Sequence, residues 1–219
     1  SPALRLAAAR WLLEAGAGQS ARSVLGDLRG REANDLRELA ASAALRAGIY
    51  ALVVHERAGL VVPIKTRVGR VSQGDVDLQS ATAVAQRVAS AWLGVASLPC
   101  LSLELDELFG VNGTSLTLPL ALAYVAHFSR AAAPRGAVLC TGRLDASGAV
   151  LGVAHVSEKL AAAEAERGAR CLLLPPGTGV EASQECHTPA SFSEAVRLAF
   201  SSPPRADHEL IAIDARLAR

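Results

Sequence analysis

The hydrophobic period of this chain first departs from the helical one at Gly48, and that change restricts the folds open to it. Before it, apolar residues recur at helical spacing and no strand-like run is present: Leu4, Ala8, Trp11, Leu12 and Ala15 share one helix face until Gly16 and Gly18 interrupt it. A second helix is expected over 20–28. A third, capped by Asn34 or Asp35, carries Leu36, Leu39, Ala43 and Leu45 up to Gly48. After Gly48 the β-branched stretches 49–55 (IYALVVH) and 59–66 (GLVVPIKT), with a short polar turn between them, predict a hairpin. Residues 68–77 read as a loop or irregular strand, 80–93 as a helix and 101–105 as a strand. A loop with Gly110 and Gly113 follows, and a helix opens close to Ser115. The second half alternates more tightly. Strands are expected at 137–141 and 149–153 around a turn at 145–148, a helix at 157–167, a strand at 171–174 stopped by Pro175 and Pro176, and a last helix near 192–200. Strands and helices mixed with hairpins predict an α+β (mixed α/β) fold over 49–219, preceded by a helical segment over 1–48.

Composition narrows the function classes. Half the residues are hydrophobic (51%), yet the longest apolar run, 118–128 (LPLALAYVAHF), ends too soon at His127, Ser129 and Arg130 to span a bilayer. The formal net charge is +1 with both signs interspersed, so nothing favours nucleic acid or a charged membrane surface. Cys100, Cys140, Cys171 and Cys186 form no CxxC pair, and three of them sit in strand-like segments where a buried free thiol is the usual reading. No signal peptide is visible, so a reducing cytoplasm is the expected compartment. The absence of any Met reads as a piece cut from a longer protein.

Two segments carry chemistry. In VNGTSLTLPLALAYV, Ser115 stands where a glycine-containing loop enters a helix, and Pro119 is tolerable only near such a start. First-turn amides there are unpaired donors able to hold an oxyanion. Taken alone, such a Ser is ordinarily an N-cap. Further along, HVSEKLAAAEAERGARCLLLP places Lys159 in the first turn of an alanine-rich helix. A lysine there is ordinarily a solvated charge. Packed away from water, its pKa falls and it can accept a proton from a serine hydroxyl.

Together the segments resemble the proteolytic domain of Lon proteases over roughly residues 49–200. In that family a glycine–proline–serine–alanine–glycine motif opens a helix, and a lysine–glutamate–lysine–leucine run follows before an alanine-rich helix and a proline-ended strand. Ser115 matches the nucleophile, and Lys159 matches the second lysine with Glu158 and Leu160 in register. AVLCTGRLDASGAVLGV matches the intervening strand, turn and return, and the resemblance implies that Thr141 positions Lys159. It further implies a serine endopeptidase that works through a Ser–Lys dyad and an acyl-enzyme, with Gly113, Thr114 and Leu116 around the oxyanion and no cofactor or metal. Thr114, Leu116 and Thr117 depart from the motif's proline, alanine and glycine, Asn112 stands where many members have aspartate, and Arg143 replaces a glutamate, which makes a divergent member. The N-terminal LAAARWLLEAGAGQSARSVLGDL resembles a tetratricopeptide-type helical hairpin, which implies a protein partner there. An oligomer is open to such a chain.

Other candidates are weaker. His155 lies near Lys159 but lacks a marked acidic orienter. Cys186–His187 is adjacent in a loop, too few ligands for structural zinc. Asp106 and Glu107 precede the nucleophile loop as solvated acids or substrate contacts. No G-x-x-x-x-G-K-[ST] motif is present, so the piece has no Walker-type ATP site. The rival class is a non-catalytic module on the same fold, in which Ser115 is a cap and Lys159 a surface charge.

Overall fold

The computed structural model describes residues 1–55, 57–68, 76–103, 114–130, 133–179 and 186–217. Three helices come first: α1 (Pro2–Glu14), α2 (Gly18–Leu25) and α3 (Arg31–Ser42). Arg5 binds α1 to the end of α2, donating to the carbonyls of Val24 at 2.8 Å and Leu25 at 2.6 Å, which a helix end leaves unpaired. α3 starts earlier than the Asn34 or Asp35 cap expected, because Gly30, at φ 123°, breaks the chain just before it. It also stops at Ser42, short of Gly48. Beyond it the Leu45 amide donates to the Arg167 carbonyl at 2.8 Å and the Arg46 amide to that of Ala15 at 3.1 Å, so tertiary bonds replace helical ones.

The chain continues as β1 (Gly48–His55), β2 (Ala58–Pro63), β3 (Thr66–Val68), α4 (Val76–Leu93), β4 (Leu101–Leu103), a 3₁₀ turn (Thr114–Leu116), α5 (Thr117–His127), β5 (Ser129–Arg130) and β6 (Ala137–Cys140). Then come β7 (Arg143–Leu144), β8 (Val150–Leu151), α6 (Val156–Ala165), β9 (Ala169–Leu173), β10 (Cys186–His187), α7 (Phe192–Ala199), β11 (Arg205–Ala206) and α8 (His208–Leu217). The fold is mixed α/β. Among the described residues its main sheet has five strands in the order β10-β9-β6-β1-β2. β1 and β2 form the expected antiparallel hairpin, whereas β1, β6, β9 and β10 run parallel. Cys186–His187, expected in a loop, is the parallel edge strand of this sheet. None of the four cysteines forms a disulfide with a described residue, and Cys140, Cys171 and Cys186 are buried.

α5 packs on α4 and on the sheet, and every residue from Thr117 to Val125 is buried, which explains the apolar run. No described helix is long and apolar enough to cross a membrane. One hydrophobic cluster runs from Ala8 in α1 to Phe200 beyond α7, so the N-terminal helices share a core with the sheet. Two elements past the expected last helix had no counterpart in the sequence reading: β11, paired with β5, and α8. α8 is held by His127, whose Nε2 lies 3.0 Å from the buried Asp214 carboxylate and whose Nδ1 lies 3.2 Å from the Thr66 hydroxyl.

Candidate active site

β1 is longer than its neighbour. Its pairing with β6 ends at Ala51↔Cys140, so Val53 and Val54 run on past the carboxyl end of β6, where the chain turns away through Thr141. Thr114 and Ser115 of the 3₁₀ turn, Arg143 of β7 and Lys159 of α6 close around this overhang. Gly152, Val153, Ala154 and His155, between β8 and α6, complete a cleft of about 380 Å³. Ser115 and Lys159, far apart in sequence, therefore line one cavity.

The serine turn is tied to the strand carrying Thr141 and Arg143. The Gly142 amide donates to the Ser115 carbonyl at 3.1 Å, and the Leu118 amide donates to the Gly142 carbonyl at 3.1 Å. The Thr117 hydroxyl accepts the Leu144 amide at 2.6 Å. It shares its own proton between the carbonyls of Thr114 at 2.9 Å and Gly142 at 3.2 Å. Thr117, a departure from the motif, is thus a buried link between the two segments, which sequence alone did not mark. Ser115 is half-buried and makes no side-chain hydrogen bond to any described residue. It is not a cap either: α5 opens at Leu116 with no side-chain capping bond. Thr114 is exposed and Leu116 is buried in the core. Gly113, Gly110, Asn112, Asp106 and Glu107 lie outside the described residues.

Lys159 is only 4% exposed, which overturns the default reading of a solvated charge. Its depth follows from how α6 sits on β2. A Cβ on Gly59 would lie 2.7 Å from the Glu158 carbonyl carbon and 3.0 Å from Ala162 Cβ, so only glycine admits the helix this closely. His155, at φ 58°, turns the chain into α6. Inside, Lys159 Nζ donates to the hydroxyl of the fully buried Thr141 at 3.2 Å. Burial pulls the lysine pKa down to about 8, against the opposing pull of the neighbouring Glu158 carboxylate. That carboxylate faces outward to Ser157 Oγ at 2.9 Å and His155 Nδ1 at 3.3 Å. No hydrogen bond joins Ser115 Oγ to Lys159 Nζ.

Of the remaining described candidates, His155 lines the cleft and Cys186–His187 does not. His155 lines it but its imidazole is largely exposed, with Glu158 as its only described carboxylate contact. Among the described residues no three His, Cys, Asp or Glu side chains gather as a metal site. A larger, shallow hollow of about 680 Å³ lies between Ser202 and Glu209. Its Arg130 is already bound by Asp207 and Glu209, and no lysine lines it. Compared with protein-family models and with curated proteins, the chain matches none.

Proposed function

We propose that this chain is a divergent Lon-type serine peptidase domain that hydrolyses polypeptide through Ser115 and Lys159. The observation that carries the reading is a buried lysine, turned by Thr141 and lowered to about 8, in the same cleft as a serine hydroxyl that has no described structural partner. Neutral Lys159 takes the Ser115 hydroxyl proton as Oγ attacks the substrate carbonyl carbon. Amides of the 3₁₀ turn before α5, from Thr114 to Leu116 and with Gly113 expected beside them, hold the resulting oxyanion. Lys159 returns the proton to the leaving amine. It then takes a proton from the water that attacks the acyl-enzyme and passes it to Ser115 Oγ as the acyl–oxygen bond breaks, which restores the free hydroxyl and the neutral amine. Substrate seating closes the gap between hydroxyl and amine, since catalytic hydrogen bonds commonly tighten only in the complex.

The substrate is an unfolded or flexible polypeptide, or one delivered by a partner, because no Walker motif is present in this piece to drive unfolding. The N-terminal helices are the proposed partner surface, and the cytoplasm the proposed compartment. Ser115→Ala and Lys159→Ala should each abolish cleavage of a fluorogenic peptide with the fold intact. The double variant should lose no more than either single one, because the two groups act as a unit. The missing Ser115–Lys159 hydrogen bond favours a second reading, a non-catalytic module. A serine-directed phosphonate that labels wild type but not Ser115→Ala decides for the peptidase. Absence of both labelling and cleavage decides for the module.

A further inference from the structure

The cleft has a second cation that the hydrolytic chemistry does not use. Arg143 lies on its rim, and the backbone on either side is pinned to the serine turn. Gly142 is bonded in both directions, to Ser115 and Leu118, and the Leu144 amide is bonded to Thr117. β7 is also paired with β8 through Arg143↔Leu151. The side chain is exposed, and no described carboxylate pairs with it. Among the described residues the charged groups lining the cleft are Arg143, His155 and Lys159, with no described Asp or Glu beside them. His155 already has Glu158 at 3.3 Å, and Lys159 must be neutral to act. Among the described lining residues Arg143 is therefore the fixed charge that an entering chain meets. Val53, Val54, Val153 and Ala154 form the apolar part of the described wall, and Thr114 and Ser115 the uncharged polar part.

We infer that Arg143 selects substrates carrying an Asp or Glu beside the scissile peptide bond, an inference that rests on the peptidase reading. A guanidinium offers a planar fork that matches a carboxylate with two parallel hydrogen bonds, and it keeps its charge at any working pH. Lysine beside the bond is repelled, and an uncharged side chain is neither held nor refused. The preference weakens as salt screens the pair.

Three peptides that differ only in one residue flanking the cleaved bond (Glu, Gln or Lys) test this. The readout is the ratio of kcat/KM values within each enzyme. Wild type should favour Glu over Lys by about tenfold or more, and raised salt should shrink that ratio. Arg143→Ala should level the ratio, Arg143→Lys should keep its sign, and Arg143→Glu should invert it. A wild-type ratio near one, or a ratio that Arg143→Glu leaves unchanged, overturns the inference while leaving the peptidase reading intact. Binding of the same peptides to Ser115→Ala, followed by fluorescence anisotropy, reads the preference without turnover. If that variant prefers Glu and Arg143→Glu in the same background removes the preference, the recognition stands even where cleavage fails. Equal binding of all three peptides sinks it.

Discussion

Lys159 carries opposite consequences for activity and stability. In the proposed mechanism attack requires the neutral amine, so kcat/KM should rise with pH along one limb centred near the lysine's value of about 8. A limb in the histidine range, near about 6.5, that survives Lys159→Ala would transfer the base role to His155. For stability, the folded lysine binds its proton more weakly than the unfolded one, which titrates at 10.5. Between about 8 and 10.5 the unfolded state therefore holds more protons, and stability rises with pH across that window. Below it, the buried charge costs up to about 3 kcal/mol. Lys159→Met should accordingly be more stable than wild type at pH 7, with the gap closing towards pH 10.5. Urea unfolding of both proteins at the two pH values measures it, and a gap independent of pH would contradict the buried-charge account. Of these residues, Ser115, Lys159 and Thr141 were legible in sequence, but only as a pair of motifs in order. The depth of Lys159 was not legible, because it depends on a glycine in a different hairpin. Nor was the role of Thr117, which reads as an ordinary helix-start residue until Gly142 and Leu144 are beside it.

At the scale of elements, α6 and β2 form the contact on which the site turns. In Gly59→Ala the new methyl meets helix backbone, which cannot rotate away as a side chain would. α6 must shift, and Lys159 moves with it. The expected result is a loss of about 1–3 kcal/mol in stability. Turnover should fall further than the folded fraction does, because small misplacements of a reacting group cost rate steeply. Circular dichroism melts and peptide kinetics on the same samples separate the two effects. Unchanged kcat in a folded variant would show that α6 need not sit so close. The β1–β2 hairpin and α4 through α7 were readable from period and turn residues, since each is a local pattern. The end of α3 was not, because the carbonyls of Ala15 and Arg167 that claim the chain after it are remote in sequence. α8 was overlooked despite a local sign: Asp207 precedes it, and its carboxylate accepts the amides of Glu209 at 3.2 Å and Leu210 at 3.1 Å.

Across the whole molecule, the change of period at Gly48 coincides with a continuous core. Glu166, just past α6 and buried, accepts the amides of Gln19 at 3.1 Å and Ser20 at 2.6 Å at the start of α2. Such a carboxylate at a helix N-terminus is doubly favoured, by its hydrogen bonds and by the helix dipole. Glu166→Ala should cost about 1–3 kcal/mol, since it strands two donors. It should lower the melting temperature of helices and sheet together, as a single transition by calorimetry. Two separated transitions would show that the helical segment melts alone. Ser20 adds a further tie, for its hydroxyl also accepts the Val61 amide in β2 at 2.8 Å. Three amides, two at a helix end and one in a strand, are thus gated by neighbouring acceptors. In deuterated solvent they should exchange through one shared opening, whatever their distance in sequence. A partner that grips the first helices then slows exchange at Val61, in the hairpin whose Gly59 seats the lysine helix.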